Sequence, residues 1–300
     1  MIRTLAGMDV RGQLGQAIFH RVAGSDGDAN RQRIHGRPGP RLFEAGSPIT
    51  TVHGDASMFV GGLRALLLQT LHPAAMRGVA EHSDYRVDTW GRLARTSTFL
   101  ATTTFGHVED AEAAVARVRR IHERVRGTMP DATPYAASDP HLLGWVHAAE
   151  ADSFLRAHDV YGHRRLDAAA RDTYVAQLAE VGRRLGVLDP PTTTAQLAAT
   201  LASYRPELRA TTEAREAVAH VLLHPPLPLA ARPPYAVLAA AAVALMPAWT
   251  RRPLRLPWLP VTERTVVRAL GSLATGTIRW AMQPAPVNGP DDLEESLRRT

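Results

Sequence analysis

Histidine and arginine side chains that could bind a metal or an anionic cofactor are concentrated in residues 53–163. Nine of the 13 histidines lie in this segment, with arginines and threonines between them at helical spacing. A neutral imidazole binds metals, and the arginine fork pairs with carboxylates. These are the parts of a buried cofactor site, and they are equally the parts of an ordinary solvated helix surface.

Arg92, Arg95 and Thr96 form the first group, because offsets of three and four residues place side chains on one helix face. Buried arginines need anionic partners, so one interpretation is a polar pocket inside a helical bundle. The alternative is a half-exposed helix whose arginines pair with nearby acids such as Asp84 and Asp88.

Two further pairs share helix faces. His122 and Arg126 lie four residues apart, which is a compact way to anchor a haem and also a common pair on solvated helices. His147 and Glu150 could bind a metal, orient a ligand, or form a local polar network between helices.

Glu81 and His82 lie at a predicted helix end, where either side chain could serve as an acid or a base. Other chemistries are disfavoured by composition. Cysteine is absent, which removes disulfides, thiolate nucleophiles and sulfur ligands for zinc or iron. All 35 basic residues are arginine, so a lysine Schiff base is impossible. The chain has no His-Glu-x-x-His, Gly-x-Ser-x-Gly or P-loop motif.

Charge and hydropathy restrict the partners. The net charge of +6 is mild and the arginines are dispersed, which argues against nucleic acid as a partner. The N-terminus lacks the apolar core of a secretory signal. The most apolar run, Tyr235–Met246, is shorter than the roughly 20 residues that span a bilayer. The sequence therefore predicts a soluble, cytoplasmic protein without stable membrane insertion, and it leaves oligomer formation open.

The elements that must position these residues are helices. Long alanine- and leucine-rich segments with a 3.6-residue period predict an all-α fold, a single globin-like bundle of helices around a buried apolar pocket. We assign residues 1–50 to an N-terminal helix (1–22) and an extended arm (23–50), residues 51–282 to the helical domain, and residues 283–300 to a flexible tail.

Capping residues and glycines set the predicted helix ends. Asp55 is the expected N-cap of the first helix of the domain, Gly127 and Gly186 are expected stops, and Ser138 or Asp139 is expected to cap the helix that Pro140 begins. The predicted helices are Ala56–Leu71, Asp88–Thr104, Glu109–Arg126, 138–160, Asp167–Leu185, Thr194–Tyr204, Thr212–Leu222, Tyr235–Met246 and Thr262–Met282.

Six short segments follow one another in a distinctive order: Gly54-Asp55, Arg64–Gln69, Leu71-His72-Pro73, Trp90–Thr96, His122–Gly127 and Trp145-Val146-His147. Their order and spacing resemble the catalytic domain shared by bacterial rubber oxygenases (latex clearing proteins) and the fungal oxygenase of mycophenolic acid biosynthesis. The resemblance covers roughly residues 50–250. It is specific to this superfamily and not to a substrate.

The resemblance implies an all-α protein that binds haem b non-covalently and activates dioxygen. By this resemblance His122 is the proximal iron ligand, Arg92 and Thr96 are the polar pair near the haem, and Arg126 is a propionate partner. Rubber-cleaving members carry a lysine where this chain has Arg95, so oxygen access and distal gating are expected to differ.

The expected function is that of a haem-b-dependent oxygenase acting on a hydrophobic small molecule, by analogy through oxidative cleavage of an olefin. Thr96 and Arg95 would stabilise negative charge that develops on dioxygen, and His147 is a second candidate for the cofactor site. Leu66, Phe99, Leu100 and Trp145 are the expected apolar walls. Two alternatives remain: a non-catalytic protein that binds haem or an apolar ligand, and a non-haem metal enzyme using His147, Glu150 and a further histidine.

Overall fold

The computed structural model describes residues 10–83 and 88–282, which fold mainly into α-helices. The helices follow in chain order: α1 (Val10–Ala23), α2 (Gly27–Gly36), α3 (Pro48–His53), α4 (Met58–Gln69), α5 (Pro73–His82), α6 (Thr89–Phe105), α7 (Val108–Arg124), α8 (Pro140–Tyr161), α9 (Ala168–Leu185), α10 (Thr194–Ser203), α11 (Thr212–Leu223), α12 (Arg232–Ala244), α13 (Ala248–Arg251), α14 (Pro260–Thr262) and α15 (Arg268–Met282). The prediction of an all-α fold is confirmed.

Three short elements interrupt the helices. A 3₁₀ turn, Leu229–Ala231, precedes α12, and a π-helical turn, Glu263–Val267, joins α14 to α15. Strands β1 (Arg126–Thr128) and β2 (Pro134–Ala136) form an antiparallel hairpin in which Gly127 lies opposite Tyr135.

Helix α8 is the centre of the fold. Its buried residues occupy every face of the helix, as expected of a helix enclosed by others. It packs most extensively on α4 and also on α9, α10 and α3. Trp145 of α8 and Tyr174 of α9 are fully buried at these contacts. Because α8 is held on several sides, side chains that project from it have fixed positions.

A buried ionic junction joins α4 to α8. Arg64 donates to the Asp152 carboxylate at 2.7 Å, to the Ser153 hydroxyl at 2.6 Å and to the backbone oxygen of Leu245 at 2.9 Å. Arg156 donates to the other carboxylate oxygen of Asp152 at 2.7 Å. The Arg64 side chain is fully buried, and its charge is compensated there by the carboxylate and the oxygen acceptors.

Helix α6 has a different environment. It packs on α7 and α1, and less extensively on α3 and α2. Its apolar residues Leu93, Phe99 and Leu100 are only half-buried. Helix α1 also packs on α15, and Gly15 meets the backbone oxygen of Ala281 so closely that a Cβ atom would not fit there. The half-buried apolar residues of α6 border the cavity that is described below.

The helices of the middle of the chain begin and end close to their predicted positions. The Asp139 carboxylate accepts the backbone N–H of His141 at the start of α8. Asp167 caps α9, and Gly186 ends it with a φ of 107° that favours glycine. Asp55 does not cap α4 directly: it accepts the N–H of Ser57 and pairs with Arg279 at 3.0 Å.

Other local predictions were wrong. Residues 23–50 are not an extended arm, because α2 and the start of α3 bury apolar side chains such as Ile34 and Ile49. Gly127 does not stop α7, which ends at Arg124; it lies in β1 against the Tyr135 ring, where a Cβ would clash. Residues 1–9, part of the predicted first helix, and the predicted tail lie outside the described residues.

The division of the chain at residues 50 and 282 into an N-terminal segment, a helical domain and a tail stays a prediction. Among the described residues, no helix combines the length and the apolar character needed to cross a membrane.

Candidate cofactor cavity

A cavity of about 2490 Å³ occupies the space beside α6. Its lining comes from several helices, including α1, α4, α6, α7, α8 and α15, and most of it is apolar. The polar lining residues that concern the predicted site and its surroundings are His53, Gln69, Arg92, Arg95, Thr96, Thr104, His122, His147, Glu150 and His158. A large apolar pocket with a few convergent polar groups is the usual form of a small-molecule or cofactor site.

Helix α7 directs His122 towards the interior. Ala111, Val115, Val118 and His122 follow at offsets of four, three and four residues, so they form one stripe on the helix. The first two are buried, and the last two line the cavity. The imidazole therefore ends the inward-facing stripe of an amphipathic helix rather than lying on its solvated face.

Helix α8 contributes a second stripe to the cavity wall. Leu143, His147, Glu150, Phe154 and His158 follow at offsets of four, three, four and four residues, and all of them line the cavity. The sequence placed His147 and Glu150 on one face, and the structure extends that face by about one turn towards the N-terminus and two turns towards the C-terminus. His158 had no assigned role, although the same spacing rule would have found it.

The imidazoles on these two stripes keep nitrogen atoms without partners. Among the described residues, Nδ1 of His122, Nε2 of His147 and both ring nitrogens of His158 are buried and make no hydrogen bond. Buried polar atoms without a partner are uncommon in folded proteins, and each one calls for an explanation such as a bound ligand. Unpartnered imidazole nitrogens at the cavity lining are available for a metal.

Burial also keeps these rings neutral. Desolvation lowers the pKa of His122, and desolvation together with the nearby charge of Arg183 lowers the pKa of His147 to about 4. Gly182 of α9 lies against the His147 ring, where an added Cβ atom would be 2.9 Å from Nδ1. A neutral imidazole is the form that binds a metal ion.

Glu150 is the acid of this wall. Desolvation raises its pKa to about 7, so the carboxyl group is partly protonated at neutral pH. Among the described residues, its side-chain partner is the amide of Gln69, whose Nε2 lies 3.4 Å from Oε1. A protonated carboxyl group beside a cavity can donate a proton or a hydrogen bond to a ligand.

His53 shows how a structural histidine differs. Its Nδ1 lies 2.8 Å from the Thr104 hydroxyl, and its Nε2 lies 3.4 Å from the Tyr174 hydroxyl. Burial lowers its pKa to about 3. Because both ring nitrogens have partners, we interpret His53 as part of the cavity wall rather than as a ligand.

The predicted polar residues on α6 all line the cavity but differ in exposure. Arg92 is half-buried and donates to the Ser83 hydroxyl at 2.8 Å, whereas Thr96 is exposed. Arg95 is 70% exposed and pairs with Asp88 at 3.0 Å. This ion pair is the arrangement that the alternative interpretation of the sequence expected; the other acid named there, Asp84, lies outside the described residues.

Three other predicted residues lie away from the cavity lining. Glu81 accepts the Tyr135 hydroxyl and pairs with Arg77 at 2.5 Å, and the bond from Tyr135 lowers its pKa. Arg126 is exposed and donates to the backbone oxygen of Glu123 at 2.6 Å. Trp145 belongs to the core, where its indole donates to the oxygen of Gln69 at 3.3 Å.

The non-haem alternative needs a third ligand beside His147 and Glu150. Within residues 10–83 and 88–282, no His, Asp or Glu joins this pair to form a group with ligand atoms within 4.8 Å of one another.

The comparisons with known proteins gave one match. A family model described as "ER-bound oxygenase mpaB/B'/Rubber oxygenase, catalytic domain" matches residues 50–277. No curated protein and no solved structure was found to match the chain. The matched range contains α6, α7 and α8, which carry the predicted and observed polar residues of the cavity.

Proposed function

The chain belongs to the family of rubber oxygenase and mpaB-type oxygenase catalytic domains, and from this premise we propose that it is a haem-b-dependent oxygenase of a hydrophobic small molecule. The resemblance noted in the sequence is thereby confirmed at the level of the family. One observation carries the haem assignment: His122 presents a buried Nδ1 atom without a hydrogen-bond partner at the wall of a large apolar cavity.

The residues present fit a haem. An imidazole nitrogen is a common axial ligand of haem iron, and His122 offers one in its neutral form. The mainly apolar lining suits the porphyrin ring, and Arg92 at the wall supplies a positive charge for a propionate. Arg126, proposed as a second propionate partner, would have to leave the Glu123 backbone oxygen to reach one.

The bound haem would supply the iron centre that reacts with dioxygen. The chain supplies the surroundings. Leu66, Phe99 and Leu100 line the cavity with apolar surface that excludes water and accepts a hydrophobic substrate. The Thr96 hydroxyl can donate a hydrogen bond to an oxygen atom in the cavity, and Glu150 can hold a proton for transfer.

We place the substrate among hydrophobic small molecules because of this lining. Oxidative cleavage of an olefin is proposed only by analogy with the rubber-cleaving members of the family. Arg95, which stands where those members carry a lysine, pairs with Asp88 at the surface. Release of Arg95 from this exposed ion pair would cost little, so it remains our candidate for the distal position.

Purification from haem-supplemented cells followed by absorption spectroscopy tests the proposal. We expect one haem b per chain and a spectral change on reduction and exposure to dioxygen. His122→Ala should lose most of the haem because the iron loses its axial nitrogen. His224→Ala, a substitution of an exposed histidine that does not line the cavity, is the matched control and should retain it.

The other outcomes are equally informative. A colourless protein that fails to take up added hemin would overturn the haem assignment. Full haem retention in His122→Ala would move the ligand to another wall histidine, and His147→Ala and His158→Ala would then identify it. Bound haem without substrate-dependent oxygen consumption would indicate the non-catalytic alternative.

A further inference from the structure

A second group of metal-binding side chains lies outside the cavity, where three segments of the chain meet. His72 precedes α5, His141 lies in the first turn of α8, and Glu207 lies in the loop between α10 and α11. None of the three lines the cavity. In the part of the chain that the structure describes, they form the one group of three such residues whose ligand atoms all lie within 4.8 Å of one another.

The three side chains already point at one another. Nε2 of His141 lies 2.8 Å from Oε2 of Glu207, and Nε2 of His72 lies 3.5 Å from the same oxygen. Ligand atoms bonded at about 2.0–2.1 Å to a tetrahedral ion are about 3.3 Å apart. The two distances to Glu207 bracket that value, and all three ligand atoms lie within 4.8 Å of one another, so an ion can enter after rotation of the side chains.

His72 provides the independent evidence for a ligand. Its side chain is 7% exposed, and neither ring nitrogen makes a hydrogen bond with a described residue. The 3.5 Å approach to Glu207 is close enough for an ion pair but does not meet hydrogen-bond geometry. A buried imidazole that faces a carboxylate without bonding to it is poorly explained by folding alone.

The surroundings hold the three residues in place. The Tyr204 hydroxyl donates to the backbone oxygen of His141 at 2.7 Å, and its ring lies against that of His141 with centroids 4.7 Å apart. The backbone N–H of Arg209 donates to the oxygen of Leu71 at 2.9 Å, which ties the Glu207 loop to the residue before His72. The cluster is therefore preorganised by bonds that do not use its ligand atoms.

The local charge also suits a cation. The groups that act most strongly on the pKa of His72, after burial lowers it, are Glu207, His141 and Asp139. Glu207 and Asp139 together can balance the charge of a divalent ion. Two imidazoles and one carboxylate are a ligand set found in zinc sites and in other sites for first-row divalent metals.

We propose that His72, His141 and Glu207 bind a divalent transition-metal ion, with Zn²⁺ as the probe, and that at least one coordination position remains for water. The ion would join the start of α5, the start of α8 and the α10–α11 loop. This site is separate from the haem cavity, so each of the two assignments can fail without the other.

The test is Zn²⁺ binding to the untagged full chain after treatment with a chelator, measured by calorimetry and by metal analysis after dialysis. We expect one Zn²⁺ per chain beyond the haem iron, and a higher melting temperature with zinc. Glu207→Gln and His141→Ala should each weaken binding at least tenfold and remove the zinc-dependent rise in melting temperature. Both side chains are about half exposed, so neither change should unfold the protein.

His20→Ala is the matched control. His20 is 54% exposed, close to the 53% of His141, and it also faces one carboxylate, Asp28, at 4.0 Å. This variant should bind Zn²⁺ like the wild type. Equal binding by Glu207→Gln, by His141→Ala and by the wild type would overturn the proposal, as would binding only at millimolar zinc. In either case the cluster would be a hydrogen-bonded histidine–glutamate pair beside a buried imidazole.

Discussion

The polar groups on the two sides of α8 differ in whether they have hydrogen-bond partners. On the side facing α4, Asp152 and Ser153 meet Arg64, and each charged group there has partners at 2.6 to 2.9 Å. On the side facing the cavity, His147 and His158 retain buried nitrogen atoms that no described residue satisfies. One helix therefore carries a completed side, on which every charged group has partners, and an incomplete side, on which buried nitrogen atoms lack them.

This difference distinguishes polar residues that stabilise the fold from polar residues that are available to bind a ligand. Leaving a buried donor or acceptor unpaired costs about 1–3 kcal/mol, so several such atoms are rarely found together in a folded protein unless they have a function. The Arg64 junction accounts for its own polar groups and needs nothing further. The cavity wall leaves nitrogen atoms of His147 and His158 without partners among the described residues, and the bound ligand that we propose would supply a partner.

The largest expected effect comes from breaking the completed side. Arg64→Leu leaves the Asp152 carboxylate with only Arg156, and we expect the free energy of unfolding to fall by about 3–5 kcal/mol. Urea denaturation measures the loss. Arg95→Ala, which removes an exposed ion pair, is the control and should change stability by no more than about 1 kcal/mol. Similar losses in both variants would show that the buried junction contributes no more to stability than an exposed ion pair.

The next largest effect is a pH dependence of the free energy of unfolding, which arises from His147 on the incomplete side. The pKa of His147 is about 4 in the folded chain, below its ordinary value of 6.5. Between these values the unfolded chain binds a proton that the folded chain does not, so stability falls as the pH falls from 6.5 to about 4. The difference is about 3 kcal/mol, and His147→Phe should remove it.

Urea denaturation of the wild type and of His147→Phe at pH 7 and pH 4 checks this expectation. His53, whose pKa burial lowers to about 3, is present in both proteins and contributes equally to both acid losses. Parallel pH profiles would mean that the His147 ring reaches water, and the comparison between the two sides of α8 would then weaken.

The smallest effect has the opposite sign. The pKa of Glu150 is raised to about 7 from an ordinary 4.5, so the folded chain keeps a proton that the unfolded chain loses. Its contribution is present below pH 4.5 and is lost as the pH rises through about 7. Because the side chain is half-buried and borders the cavity, we expect only about 1–2 kcal/mol.

Glu150→Gln should therefore gain stability relative to the wild type between pH 5 and pH 8, as measured by chemical denaturation. The amide has nearly the same volume, which isolates the proton from packing. A difference that does not change with pH would show that Glu150 is ionised throughout, and it would remove the proposed proton donor from the cavity.

Local signals made much of the fold predictable. Asp139 with Pro140, and Asp167 with Gly186, marked the ends of α8 and α9 because each acts through the backbone within one helical turn. The position of His122 on the inward stripe of α7 also follows from spacing alone. Short elements were missed where burial, not local preference, decides the structure, as in α2 and in the hairpin of β1 and β2.

Contacts between distant segments could not be read in this way. His72 and Glu207 are separated by more than a hundred residues, and no periodicity relates them. The partners of Glu81 were unpredictable for the same reason, because its hydrogen bond from Tyr135 depends on how the hairpin packs against α5. The sequence could name reactive side chains, but only the packing of helices decides which of them are already engaged.

The contact between α1 and α15 has a consequence for how molecules enter and leave. It joins two segments from opposite ends of the described chain. Helix α1 has no buried residue, although it forms part of the cavity wall. Amide hydrogen exchange should therefore be faster in α1 than in α8. We expect small molecules to enter the cavity beside α1, while the buried α4–α8 junction stays in place.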